Sequence, residues 1–209
     1  MARIHGTIGG HLSGKLDGLV FVKVGDKTYV RTAPNRRKDS WSPKQEQHRK
    51  RFQAFTRFYG MHRANIVHPI WNLSATKQQT GYNLFMKANL SAFNAEGSDF
   101  DPSLLHYSTG PLALPQNLVL HRDETNAMIV HVSWNPECIT RQEQPDDELL
   151  IVRGASFRAV GPIETSAQRK AGECVVDFTD RLTKGPWDLY LFFASADRKK
   201  YSPDKHFSV

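Results

Sequence analysis

The chain has 209 residues, 28 Lys+Arg against 21 Asp+Glu, 39% hydrophobic residues and a mean hydropathy of −0.51, enough apolar material for one good core or two small ones. No apolar run approaches the ~20 residues that span a bilayer, and the start Met1-Ala-Arg-Ile-His-Gly6 has no apolar stretch ahead of a small-residue cleavage site, so membrane insertion is excluded and a cytoplasmic address is expected. The net charge of +7 is unevenly placed: residues 1–70 hold 14 Lys+Arg and 4 Asp+Glu, residues 71–209 hold 14 and 17, so the excess of positive charge lies in the first third and marks a polyanion-facing end.

Glycines punctuate the first 34 residues, and two strand-like runs, 19–24 and 27–32, are separated by Gly25-Asp26, which predicts a β-hairpin. Residues 34–40 form a polar, basic linker. A helix is then signalled by Ser42 as N-cap, Pro43 at the first helical position and Gln45 three after the cap. On its wheel Phe52, Phe55, Tyr59, His62 and Ile66 fall on one stripe, with Lys50 and Arg57 roughly opposite; Pro69 ends it. A second helix is expected over 81–94, with Thr80 as cap and Tyr82, Phe85, Met86, Leu90 and Phe93 at helical spacing, so the two helices can pair over aromatic side chains.

Residues 97–115 shift to Ser, Asp, Pro and Gly and read as an interdomain connection. Strand-like segments follow at 117–121, 128–134, 148–153, 156–160, 174–178, 189–195 and 201–209, a spacing that suggests a β-sandwich. The expected organisation is α+β: a basic hairpin and helical module over 1–96, a linker over 97–113, and a seven-stranded sandwich over 114–209.

Two resemblances add to this. Pro115-Gln-Asn-Leu118, Val132-Ser-Trp134-Asn-Pro136, and Leu182 with Gly185 ahead of Tyr190 resemble the first strand, the core-tryptophan strand and the tyrosine corner of fibronectin type III domains. Gly10-x-x-x-Gly14-Lys15-x-x-Gly18 before a hairpin ending in Val30-Arg31, then Gln47-x-x-x-Arg51-Phe52, and Thr80-Gly81-Tyr82-Asn83 with Asn89, resemble an uncharacterised domain-of-unknown-function family of gut anaerobes. That second resemblance implies one recurring unit of hairpin, helices and sandwich, and brings no activity with it.

The chemistry-bearing patterns are sparse. Gly9-Gly-His-Leu-Ser-Gly14-Lys15 fits the opening of a phosphate-binding loop, but Leu16 stands where Ser or Thr must hold magnesium, so it reads as a turn-forming segment. Cys138 and Cys174 lack metal-like spacing and read as buried thiols, and His62 and His68 fail the i, i+4 rule for a helical metal site. Asp146-Asp147-Glu148 reads as a solvated turn. No catalytic, metal or cofactor site is expected, and the protein reads as non-enzymatic.

The functional candidates are cations, with one aromatic beside them: Lys15, Lys23, Arg31, Arg36, Arg37, Lys38, Arg49, Lys50 and Arg57, and Trp41, placed to stack a base. The absence of any helix-turn-helix, zinc-finger or other reader signature makes the expected contact backbone-directed. The leading expectation is a nucleic-acid-associated, polyanion-binding or architectural protein whose sandwich is an interaction domain. The alternative is a structural protein of a virion-like or mobile-element particle that self-associates through its glycine-rich start and hairpin edge.

Overall fold

The computed structural model describes residues 2–3, 13–34, 41–154, 161–179 and 186–209. It is α+β, with two α-helices and three sheets of antiparallel strand pairs among the described residues, and it divides into two units, Met1–Ser42 and Pro43–Val209. Among the described residues no helix is long and apolar enough to cross a membrane.

In the first unit, β1 (Ala2–Arg3), β2 (Gly14–Leu16), β3 (Leu19–Val24) and β4 (Lys27–Thr32) form a sheet in the order β1-β4-β3-β2. The expected hairpin is β3–β4, with Gly25 at φ 59° supplying the left-handed residue that a two-residue turn requires. Among residues 13–34, 41 and 42 only Thr28 is buried, while Leu16 is 66% and Val24 56% exposed, so β2–β4 have no apolar core within those residues.

The second unit begins with α1 (Pro43–His62), starting at the expected proline. Its buried residues are Ala54, Phe55, Phe58 and His62. Phe52, expected on the buried stripe, is 39% exposed, because the inward stripe is centred on Phe55 and Phe58. The helix then widens: His68 N–H donates to the Arg63 carbonyl at 2.9 Å, an i→i+5 bond that turns Ile66 and Val67 inward ahead of Pro69. Thr80 caps α2 (Gly81–Asn89), its hydroxyl accepting from Asn83 N–H at 3.3 Å. This helix is shorter than the expected 81–94, because the chain tightens into a 3₁₀ turn over Leu90–Ala92. Phe58 and Phe85 stack at 6.0 Å, and Trp71 meets Phe85 edge-on at 5.2 Å.

Two sheets follow. β5 (Val119–Arg122), β6 (Ile129–Ser133) and β9 (Glu173–Asp177) run in the order β5-β6-β9; β7 (Glu148–Gly154), β8 (Ile163–Gln168), β10 (Asp188–Ala194) and β11 (Lys205–Ser208) run in the order β11-β10-β7-β8. The expected strand at 156–160 lies outside the described residues. β8 was not expected: its Ile-Glu-Thr-Ser-Ala-Gln sequence is that of a polar edge strand, with Ser166 at φ 58° and a register shift opposite Glu148–Leu150.

The central strands β7 and β10 are buried on both faces. Leu150, Val152, Tyr190, Phe192 and Ala194 join the helical aromatics in one core, while Leu149, Ile151, Leu189, Leu191 and Phe193 join Leu118, Val130, Val132 and Trp134 in a second. Two-sided burial is why both strands read as continuous apolar runs instead of alternating ones.

The helices therefore share a core with the sheet, and the segment expected as a linker is packed against the second unit through several buried residues. Leu105, Tyr107, Ser108 and Leu112 are buried. Tyr107 N–H donates to Asp204 Oδ2 at 2.8 Å, Ser108 Oγ to the Ser202 carbonyl at 2.7 Å, and Leu112 N–H to the Tyr201 carbonyl at 3.1 Å. The Ser/Asp/Pro/Gly composition there supplies turns and caps: Asp101 caps a 3₁₀ turn, and Gly97 at φ 66° lets the chain pass against the Lys50 carbonyl of α1.

Candidate functional site

Strand alternation decides which basic side chains of the first unit act together. The register places Lys15 opposite Val20 and Val20 opposite Arg31, so these two cations flank a valine in a single cross-strand row. Val22 pairs with Tyr29 in the next row of that face, and Val24 with Lys27 in the third. Lys15, Lys27 and Arg31 are exposed around a floor of Val20, Val22, Val24 and Tyr29, and a concavity is lined by Val22, Val24, Tyr29 and Arg31. No carboxylate lies in these strands; Asp17 and Asp26 occupy the turns.

Lys23, expected in the same set, pairs with Thr28 on the opposite face and does not join it. Lys27, absent from the expected set, does. The period-two pattern Lys27-x-Tyr29-x-Arg31 was the signal that would have found it. Arg36, Arg37 and Lys38 lie outside the described residues.

In the second unit Arg49, Lys50 and Arg57 are exposed on α1, as their helical positions predict. Lys50 is committed internally: its ammonium meets Glu96 Oε2 at 2.9 Å and Glu46 Oε1 at 3.6 Å, and the Glu96 hydrogen bond holds it above the usual lysine range. Arg49 shares a surface concavity with His48, Phe52, Gln53 and Thr56. Trp41, at the end of the first unit, is 56% exposed.

A second sheet face carries the opposite charge. The outward side of β5-β6-β9 presents Val119, Ser133 and Glu173 in one row, His121, His131 and Val175 in the next, and Ile129 with Asp177 in the third, which Asp123 extends by donating its N–H to the Ile129 carbonyl at 3.0 Å. His121 and His131 stack at 5.3 Å, and His131 Nε2 lies 3.0 Å from Asp123 Oδ2. Hydrogen bonds from the Thr125 hydroxyl, then from Asn126, His131 and Thr125 N–H, hold the Asp123 carboxyl far below the usual range. Val175 is 62% and Val119 49% exposed.

Elsewhere two expectations are corrected. Cys138 is exposed rather than buried, while burial pushes the Cys174 thiol up to about 11, away from the thiolate a nucleophile needs. Asp147 is not in a solvated turn: it is fully buried, its Oδ2 3.3 Å from Arg169 Nε, and Arg169 also donates from Nη2 to the Ala113 carbonyl at 3.0 Å and lies over the Phe193 ring. The pair stitches the 136–147 loop to the sheets, an arrangement that serves structure. Lys15 sits in a strand, not ahead of a helix N-terminus. Among the described residues no group of three or more His, Cys, Asp or Glu is placed to hold a metal ion.

No protein-family model matches the chain, and no curated protein matches it.

Proposed function

We propose that this is a non-enzymatic, polyanion-associated binding protein, with nucleic acid as the leading partner class, which docks phosphates on the β2–β3–β4 face. One observation carries the reading: the register gathers Lys15, Lys27 and Arg31 with Tyr29 on a single face whose strands hold no carboxylate. Three exposed cations around one aromatic ring suit a flexible, single-stranded backbone with a base stacked on the ring. The seven strands in orders β5-β6-β9 and β11-β10-β7-β8, with Trp134 between them, support reading the C-terminal part as a fibronectin type III-like sandwich that serves as an interaction domain.

The test is retention of the full chain on heparin and on single-stranded DNA at low salt. Three phosphate contacts give a salt slope of about −2. Lys15→Glu with Arg31→Glu abolishes retention, while Lys23→Glu on the opposite face leaves most of it. Absence of retention in low salt, or equal loss from Lys23→Glu, sinks the reading.

A further inference from the structure

The basic face and the acidic face are complementary in more than sign. On β4, Arg31 and Lys27 are four residues apart, and Lys15 lies two strands across from Arg31 in the same row. On β9, Asp177 and Glu173 are four residues apart, and Asp123 lies two strands across from Asp177 in the same row. Each set is a right-angled triangle with sides of about 13 Å along the strand and about 10 Å across it.

Their handedness also agrees. A strand running upward with a side chain toward the viewer directs that residue's own N–H and C=O to the right, a consequence of L-chirality. The 18–33 pair is hydrogen-bonded, through Ala33 N–H to the Gly18 carbonyl, so the 20–31, 22–29 and 24–27 pairs are hydrogen-bonded rows and β3 and β2 lie to the right of β4. On the acidic face the hydrogen-bonded rows are the inward ones, as Phe178 N–H to the Met128 carbonyl shows, so β6 and β5 lie to the left of β9. Turning one face over onto the other brings Arg31 to Asp177, Lys27 to Glu173 and Lys15 to Asp123. The same superposition seats Val20 on Ile129, Tyr29 on Val175 and Val22 on His131, with strands aligned as in sheet-on-sheet packing.

From this geometry we infer that the β2–β3–β4 face of one molecule docks on the outward β5-β6-β9 face of a second copy. The inference goes beyond the polyanion reading of the basic face and gives that face a protein partner. All six charged groups lie outside any Lys/Arg–carboxylate pair among the described residues, and Val24, Val119 and Val175 are exposed. Because the two faces are different surfaces, the contact is heterologous. The faces are small, about 15 Å on a side, so association is weak.

The experiment is sedimentation velocity on the full chain from about 10 µM to about 1 mM at low salt. The expected result is a mass that rises with concentration above that of the monomer. The acid-face variant Glu173→Lys/Asp177→Lys and the basic-face variant Lys27→Glu/Arg31→Glu each associate at least about tenfold more weakly alone, and an equimolar mixture of the two regains association because each then offers the face the other lacks. That recovery also excludes misfolding as the cause of the loss. A wild-type chain that stays monomeric throughout, or a mixture that stays as weak as its components, overturns the inference. Heparin retention separates the two claims: the acid-face variant keeps it whenever the polyanion reading holds, whatever the sedimentation result, and recovered association without wild-type retention leaves self-association standing alone.

Discussion

Tyr190 Oη donates a hydrogen bond to the Pro102 carbonyl at 2.5 Å, fastening the helical layer to the central sheet across 88 positions of sequence. The bond is long-range, whereas a tyrosine corner reaches back only a few residues. Leu182 and Gly185, which carried that resemblance together with Tyr190, lie outside the described residues.

Replacing Tyr190 by Phe keeps the ring packed against Tyr107 at 4.6 Å and removes one of two donors to the Pro102 carbonyl, which still accepts from Leu105 N–H at 3.1 Å. The expected loss is about 0.5–1.5 kcal/mol, seen as a lower urea midpoint with an unchanged slope.

The Asp147–Arg169 pair predicts a non-additive cycle. Arg169→Met alone leaves an uncompensated buried carboxylate and costs about 3–5 kcal/mol, whereas Asp147→Leu/Arg169→Met together costs clearly less. Denaturation of the two single variants and the double variant measures the coupling, and additivity would mean that the pair does not act as a unit.

His62 gives a pH dependence with a definite sign. Burial, against Phe58 at 4.2 Å and Tyr107 at 5.4 Å, pushes its pKa below 6.5, and Nδ1–H donates to the Phe58 carbonyl at 2.8 Å. The folded state favours neutral imidazole, so its contribution is present above pH 6.5 and is lost as pH falls through the depressed value. His106 has the opposite sign: its hydrogen bond to Asp204 raises the pKa, so its contribution holds at low pH and fades as pH rises. Thermal melts between pH 7.5 and pH 5 flatten in His62→Leu and steepen in His106→Asn.

Two glycines predict opposite outcomes for one substitution. Gly97 sits at φ 66°, and a Cβ there would lie 2.5 Å from the Lys50 carbonyl, so Gly97→Ala destabilises by about 1–3 kcal/mol. Gly60 lies within exposed α1 with nothing within 4 Å of an added Cβ, so Gly60→Ala stabilises by about 0.5–1 kcal/mol. Both follow from a single melting experiment.

Local signals were legible in the chain alone. Pro43 and Thr80 marked the helix starts because they act on neighbouring backbone groups, Gly25-Asp26 marked its hairpin because the turn needs a left-handed residue, and the α+β class followed from periodicity. The concentration of cations in the first third is a property of composition and needs no fold. Tertiary structure decided what neighbours cannot encode. Burial of β7 and β10 on both faces comes from packing against helices on one side and a sheet on the other, and Leu105 and Tyr107 of the expected 97–113 linker join that core. Register separated Lys23 from Lys15 and Arg31 and added Lys27, because a strand sends alternate side chains to opposite faces. The charge bias was written in the sequence; which cations share a surface was set by strand pairing.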